Sequence, residues 1–272
     1  MTSRSAVLIM RGVVGLIVLI WAFPILWVAY SSFKPTDLII SRSLTVLFEP
    51  TLAHYRTIFE TQNFARFAVN SLIVASVSTA ICVVLGFLAA YGMARFRAGG
   101  SSFALWVFVT RMAPPAAVLI PFYLMFRVLG LIHTLTALVV VDVALNLSFA
   151  IWILRTFIEE IPVDLEESAM VDGVSRFGVL PVIVLPLVRF GVVTTAIFCF
   201  VFVWNEYLFA LVLAVSSRVK TLPVAAGDFV TAYAIEWGPV FASGTLILIP
   251  VMILTLFLQR YIVRGLALGA FR

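Results

Sequence analysis

Long apolar runs separated by shorter polar gaps make up most of the chain. The runs near Val7–Ser32, Phe67–Met93, Phe103–Leu129, Leu135–Phe157, Val188–Val215 and Val240–Val263 each reach the ~20 residues a helix needs to cross a hydrocarbon core. None alternates in the segments of roughly ten residues that mark a membrane barrel strand. In lipid the backbone must satisfy its own hydrogen bonds, which leaves helices. The pattern predicts an all-α integral membrane protein of about six transmembrane helices, built as a single transmembrane domain over residues 1–272. The first eleven residues are short and basic, but the run behind them extends to about Ala29 with no small-residue cleavage pattern. That predicts a retained span, not a signal peptide.

Composition agrees. The chain is 63% hydrophobic and 11% charged, with a mean hydropathy of +1.17. A soluble domain carries about 25% charged residues, so lipid must be the solvent for much of this surface. The net charge of +5 does not point to nucleic acid, because the arginines are scattered between apolar runs and form no stripe. With the N-terminus inside, Arg4, Arg11, Arg95, Arg97, Arg155, Arg176, Arg189, Arg260, Arg264 and Arg272 fall on the cytoplasmic side. Lys34, Arg42, Arg56, Arg66, Arg127, Arg218 and Lys220 spread through longer outer loops, and Arg111 lies within a span. This density favours both termini in the cytoplasm. Cys82 and Cys199 sit inside apolar runs and read as small hydrophobes, without disulfide or metal spacing. His54 and His133 fall in outer loops as surface or interfacial residues, so no convergent set for a membrane enzyme is present. No internal repeat is visible, which counts against the inverted-repeat carriers.

The segment Glu159–Pro186 is the longest inner loop and the most acidic, with Glu159, Glu160, Asp164, Glu166, Glu167 and Asp172. Pro162 ends the helix before it. Asp164 reads as an N-cap, with Glu167 three residues on completing a capping box. Glu166 and Glu167 lie where the helix dipole favours anions, and Ala169 gives the helix a small face. Asp172-Gly173 ends it, glycine supplying a left-handed exit. Ser175 can cap a second helix running to Leu185-Pro186. This is a helix–turn–helix on the cytoplasmic face, and local physics alone leaves open whether it is a docking element or a solvated acidic loop. A divalent-metal site there lacks nearby His or Cys.

The stretch EESAMVDG at Glu166–Gly173, followed by IVLP at Ile183–Pro186, resembles the EAA motif of ATP-binding-cassette importer permeases. The matching positions are Glu167, Ala169, Asp172, Gly173, Leu185 and Pro186. Ser168 departs mildly, and Pro181 more strongly, since it would kink or shorten the second coupling segment. FPILWVAYSSFKP at Phe23–Pro35, the span Asn70–Phe96, NLSFAIWILRTF at Asn146–Phe157, WNEYLFALVL at Trp204–Leu213 and the tail Gln259–Arg272 resemble the MalG-like branch of carbohydrate permeases. The resemblance covers nearly the whole chain. It implies a type I importer permease of the bacterial inner membrane that carries a sugar or sugar-like solute (a mono- or disaccharide, a polyol or a glycerol-phosphate type). It also implies a second homologous permease as heterodimer partner, two ATPase subunits and an extracytoplasmic solute-binding protein. The helix at Asp164–Val171 would then enter a cleft of the ATPase. Glu167 would orient and cap it, Ala169 would allow close approach, and Gly173 would make the turn. The basic tail Gly265–Arg272 would lie against the same interface. No Gly-x-x-x-x-Gly-Lys-Ser/Thr pattern occurs, so ATP and Mg would be held by the partner and no cofactor by this chain.

Polar groups inside apolar spans are costly and face a bundle interior or a wet cavity. Arg111, Asp142, Asn146, Asn205 and Glu206 are the candidates for a solute path, with Trp204 and Trp152 as stacking rings. The competing reading is structural: Arg111, just before Ala113-Pro114-Pro115, marks a broken helix held by an ion pair with Asp142 or Glu206. A secondary carrier would use Arg111, Asp142 and Glu206 as an ion relay, but it would not call for the capped loop.

Overall fold

The computed structural model describes residues 4–43 and 45–269. In chain order its helices are α1 (Arg4–Ser31), α2 (Thr36–Ile39), α3 (Ala53–Thr61), α4 (Phe64–Phe96), α5 (Gly100–Thr110), α6 (Pro115–Val128) and α7 (Leu135–Glu159). Then follow α8 (Val163–Val171), a π-helical turn at Leu180–Val184, α9 (Leu185–Leu187), α10 (Arg189–Trp204), α11 (Leu208–Leu213), α12 (Leu222–Gly227) and α13 (Trp237–Gly269). Among the described residues the only strand-like pairing is an isolated bridge between Val230 and Ile235. The side chains of the Gly265–Arg272 tail, expected at the cytoplasmic interface, lie outside the described residues.

The all-α membrane architecture expected from the apolar runs is present. Val7–Ser31, Phe64–Phe96, Leu135–Glu159 and Trp237–Phe257 are continuous helices long and apolar enough to span. The remaining two runs are broken, for local reasons. Phe103–Leu129 divides into α5 and α6 around Arg111–Pro114. Pro114 is extended at φ −63°, ψ 125°, a residue before proline disfavours the helical region, and Pro115 opens α6, where its missing N–H costs nothing. In Val188–Val215, α10 stops at Trp204 and α11 restarts at Leu208. At its other end, Leu180–Leu187 meets Arg189–Trp204 at 72°. Pro181 lies in the π-helical turn, where its absent N–H and ring bulk loosen the i→i−4 ladder. The kink expected from Pro181 is therefore realised as a widened turn.

The chain forms two compact units, Met1–Ala65 with Ala225–Pro250, and Arg66–Val224 with Val251–Arg272. In the first, the apolar window of α1 has none of its residues buried. His54, expected at the surface, is 6% exposed instead. Its Nε2 is 2.9 Å from the Lys34 carbonyl, and a Cβ on Gly238 would fall 2.2 Å from its ring.

In the second unit α7 is the hub, packing against α5, α10 and α11. Its buried residues Leu138, Val141, Asp142, Asn146, Ala150, Leu154 and Ile158 recur at three- and four-residue steps and so share one face. Small residues of α4 meet it closely. Ser78 donates to the Val139 carbonyl at 3.5 Å, Cys82 lies 3.8 Å from that of Val143, and a Cβ on Gly86 would be 2.9 Å from the Ala150 Cβ. Without a hydrophobic drive between helices in lipid, such backbone approach supplies the association. Gly86→Leu is expected to destabilise the protein by about 1–3 kcal/mol through overpacking. A thermal-melting comparison in detergent checks this.

Candidate functional site

Two groups of polar side chains stand out, both in the second unit. The first is built around α8. Pro162 occupies the N-cap position, α8 has no side-chain cap, and Asp164 and Glu166 fall in its first turn. The expected capping box of Asp164 and Glu167 is thus not formed: the helix starts two residues earlier, after Pro162, so Asp164 enters the helix proper. Glu167 is exposed. The buried carboxylate is Glu166, 3% exposed, three residues before the buried Ala169 on the same face.

Glu166 has a full set of partners. Arg95, in the last turn of α4, donates Nε to Glu166 Oε1 at 2.6 Å. Tyr91, one turn earlier, donates its hydroxyl to Oε2 at 2.7 Å. Arg95 also donates Nη2 to the carbonyls of Ile158 and Ile161, at 3.0 and 2.9 Å. The Ile158 carbonyl belongs to the last turn of α7 and also accepts from Ile161 N–H at 3.1 Å, and Ile161 lies just past that helix end. One guanidinium therefore binds α4, the end of α7 and α8 together. Ala90, Leu154, Ile158, Ile161 and Val179 form one buried apolar cluster with Tyr91. Sequence reading named Glu166 but missed Arg95 and Tyr91 as its partners.

The exit from α8 is as expected. Gly173 has φ +91°, Val174 N–H donates to the Ala169 carbonyl at 3.0 Å and Gly173 N–H to that of Met170 at 3.1 Å. This is the paired-bond cap that needs a left-handed residue. Ser175 Oγ accepts from Gly178 N–H at 3.1 Å, opening the next turn. Regular helix resumes only at Leu185-Pro186. Towards solvent α8 presents Glu167, Leu165 and Val171, with Phe177 beyond it, and the last two are 87% and 85% exposed.

The second group surrounds a cavity of about 420 Å³. Arg111, Asp142, Asn146, Asn205 and Glu206 line it together with Pro115, Phe202 and Tyr207. Both helix breaks open onto it, as irregular backbone at membrane depth does when it lines a cavity. The ion pair expected for Arg111 is not formed. Its Nη1 donates instead to the Leu145 carbonyl at 2.8 Å and, at 3.4 Å, to Asn146 Oδ1. Its guanidinium lies 5.7 Å from the Phe149 ring centre and 5.0 Å from that of Phe202. Glu206 accepts from Phe209 N–H at 2.8 Å and Ala210 N–H at 2.9 Å, so it satisfies the orphan donors that open α11. Asn205, itself exposed, donates Nδ2 to the Val201 carbonyl at 2.8 Å.

Asp142 is 2% exposed and its Oδ1 has no partner among the described residues. It also lines an adjacent cavity of about 10 Å³ with Ser71, Trp204, Glu206 and Thr221. Trp204, expected as a stacking ring, is buried against Phe200 at 5.8 Å. Trp152 lies under the Arg155 guanidinium at 5.9 Å, and neither tryptophan lines the larger cavity. Asn70 and Ser71 of α4 were not picked out from the sequence. They hold the chain before α12, through the carbonyls of Arg218 and Lys220 and the N–H of Leu222.

Comparison with known proteins places this arrangement. Residues 82–268 match the family model for the binding-protein-dependent transport system inner membrane component. The chain is 33% identical over 261 residues to the trehalose/maltose transport system permease protein MalG of Thermococcus litoralis, covering 94% of each chain. It is 34% identical to the diacetylchitobiose uptake system permease protein DasC of Streptomyces coelicolor, covering 91% of each. Its fold matches a chain of a bacterial transporter involved in alginate import, with a TM-score of 0.76 at 22% identity over 96% of this chain and 99% of that one. Apolar spans, a loop helix clamped to their ends and a polar cavity at two helix breaks thus belong to a multi-pass transport permease, and the chain is a member of the binding-protein-dependent transport system inner membrane component family.

Proposed function

We propose that this chain is a translocating subunit that imports a sugar or sugar-like solute and that α8 couples it to a separate ATPase. The observation that carries the reading is the buried Arg95–Glu166–Tyr91 cluster. It holds the inner face of α8 rigidly to the ends of two long helices, while Leu165, Glu167 and Val171 stay open for a partner. A push on α8 then moves α4 and α7 as one body, which suits alternating access by rigid-body rocking. In this reading both termini and α8 are cytoplasmic, ATP and Mg belong to the partner ATPase pair, and a second permease of the same fold completes the path. An extracytoplasmic binding protein presents the solute.

Relatives named for trehalose and maltose, diacetylchitobiose and sulfoquinovosyl glycerol support a saccharide or a polyol-linked one. The chemistry of the 420 Å³ cavity fits hydroxyl-rich cargo. Asn205 and Asp142 offer acceptors, Arg111 has donors to spare beyond Nη1, and Phe202 and Tyr207 provide apolar walls. Glu206 serves here to hold the α10–α11 break open.

Glu167→Lys tests the docking face. Because Glu167 is exposed, the variant should assemble and melt normally. Solute-stimulated ATP hydrolysis by the reconstituted complex should fall at least severalfold. Unchanged stimulation would remove α8 as the coupling element.

A further inference from the structure

A third pocket lies at the end of the second unit that carries α8, away from the solute cavity. It measures about 350 Å³ and is lined by Met93, Arg97, Ala98, Gly100, Ala104 and Arg155. Two guanidiniums thus face one space floored by small and apolar side chains, and no described carboxylate lines it. Arg155 gives its Nε to Glu159 at 2.6 Å, which leaves its terminal nitrogens for another acceptor. The Arg97 side chain makes no hydrogen bond or ion pair among the described residues, while its backbone carbonyl accepts from Gly100 N–H at 2.8 Å. Its backbone is left-handed at φ +50°, beside Gly99 and Gly100 at +77° and +66°. Glycine would fit position 97 more easily, yet a long cation stands there, as residues in disfavoured conformations often do where a ligand is held.

The surroundings have the composition of a membrane interface. Trp152 lies one turn before Arg155, its ring 5.9 Å from that guanidinium. Phe103 and Trp106, in the first turns of α5, stack at 6.0 Å and are 44% and 62% exposed. Such rings gather at the headgroup level of a bilayer. Beyond them Leu105 and Val109 extend the exposed apolar surface of α5. We propose that this pocket binds the phosphate headgroup of an anionic phospholipid, with its acyl chains lying along α5. Charge complementarity selects the headgroup, and the exposed apolar side chains of α5, which gives Ala104 to the pocket, favour a lipid over a free anion or an acidic peptide. Basic pockets between membrane helices are suited to such headgroups. The site depends on the chain being embedded in a bilayer and is independent of the solute and of how α8 docks.

Native mass spectrometry of the purified transport complex tests this, with phosphatidylglycerol, phosphatidylcholine and inorganic phosphate added separately. Phosphatidylglycerol should be retained in preference to phosphatidylcholine. Arg97→Ala and Arg155→Gln should each weaken its retention about fivefold, the effect of one cation at an anionic lipid surface, and Arg97→Glu more. Because Arg97 touches no protein acceptor, Arg97→Ala should melt like the wild type. Should it not, Arg155→Gln carries the comparison. Equal retention of the two lipids, or phosphatidylglycerol retention unaltered in Arg97→Glu, would overturn the proposal. So would inorganic phosphate displacing the lipid at low concentration, which would mark a small-anion site instead.

Discussion

Arg95→Ala is expected to abolish solute-stimulated ATP hydrolysis and to lower the melting temperature of the complex. The substitution leaves the Glu166 carboxylate buried with only Tyr91 beside it, and releases the carbonyls of Ile158 and Ile161 at the end of α7. Removing one member of a buried ion pair costs about 3–5 kcal/mol, a large share of the stability a membrane domain holds in reserve. Glu166→Ala should cost a comparable amount. The double variant Arg95→Met, Glu166→Gln separates stability from coupling. Removing both charges together is often close to neutral in stability, so the double variant should melt nearer the wild type than either single one. It should still stimulate poorly, because the link between α8 and α4 is lost. A double-mutant cycle on melting temperature and on stimulated ATPase gives both quantities. Wild-type stimulation in Arg95→Ala would refute the clamp as the transmitting element.

The second large effect is expected at Arg111→Ala, which should reduce solute transport at least tenfold while ATPase subunits still assemble. Arg111 bridges the α5–α6 break to α7 through Leu145 and Asn146 and sits by two phenylalanine rings. Loss of a hydrogen bond from a charged donor is worth about 1.5–3 kcal/mol, and a partly desolvated cation–π contact adds ~1 kcal/mol. At about 1.4 kcal/mol per factor of ten, that sum exceeds one decade. Arg111→Lys should recover only part, since an ammonium cannot use both the carbonyl and the ring faces as a planar fork does. Uptake of labelled trehalose, maltose and related sugars into proteoliposomes is the measurement. Full transport by Arg111→Ala of the sugar that the wild type carries would exclude this residue from the path.

The two clusters show what could and could not be read from the sequence. The apolar runs fix the helices because lipid permits little else, and the paired prolines at Pro114-Pro115 announce the α5–α6 break. Gly173 announces the exit of α8 for the same local reason. Which face of α8 turns inward was not legible. With Glu166 and Glu167 adjacent in a short helix, only the position of Arg95, 71 residues earlier, decides which is buried. Tertiary pairing carries no local signal of that kind. The break at Asn205–Tyr207 was hidden too, since no proline or glycine marks it. Glu206, three residues before Phe209, fills the role a capping residue takes at a helix start, but inside an unbroken apolar run it reads as a polar group awaiting cargo. Trp204 misled for the opposite reason: a ring type common in sugar recognition was used here as filler against Phe200.

The exposed surface of α1 has a consequence on an evolutionary timescale. Its spanning window has no residues buried within this chain. Positions that touch only lipid answer to hydropathy and length, so Leu, Ile, Val and Phe are interchangeable there at almost no cost in fitness. Arg95, Glu166 and Gly173 have no such freedom. Where α1 meets lipid alone, selection reads it as a composition, whereas it reads the α8 clamp as a spelling.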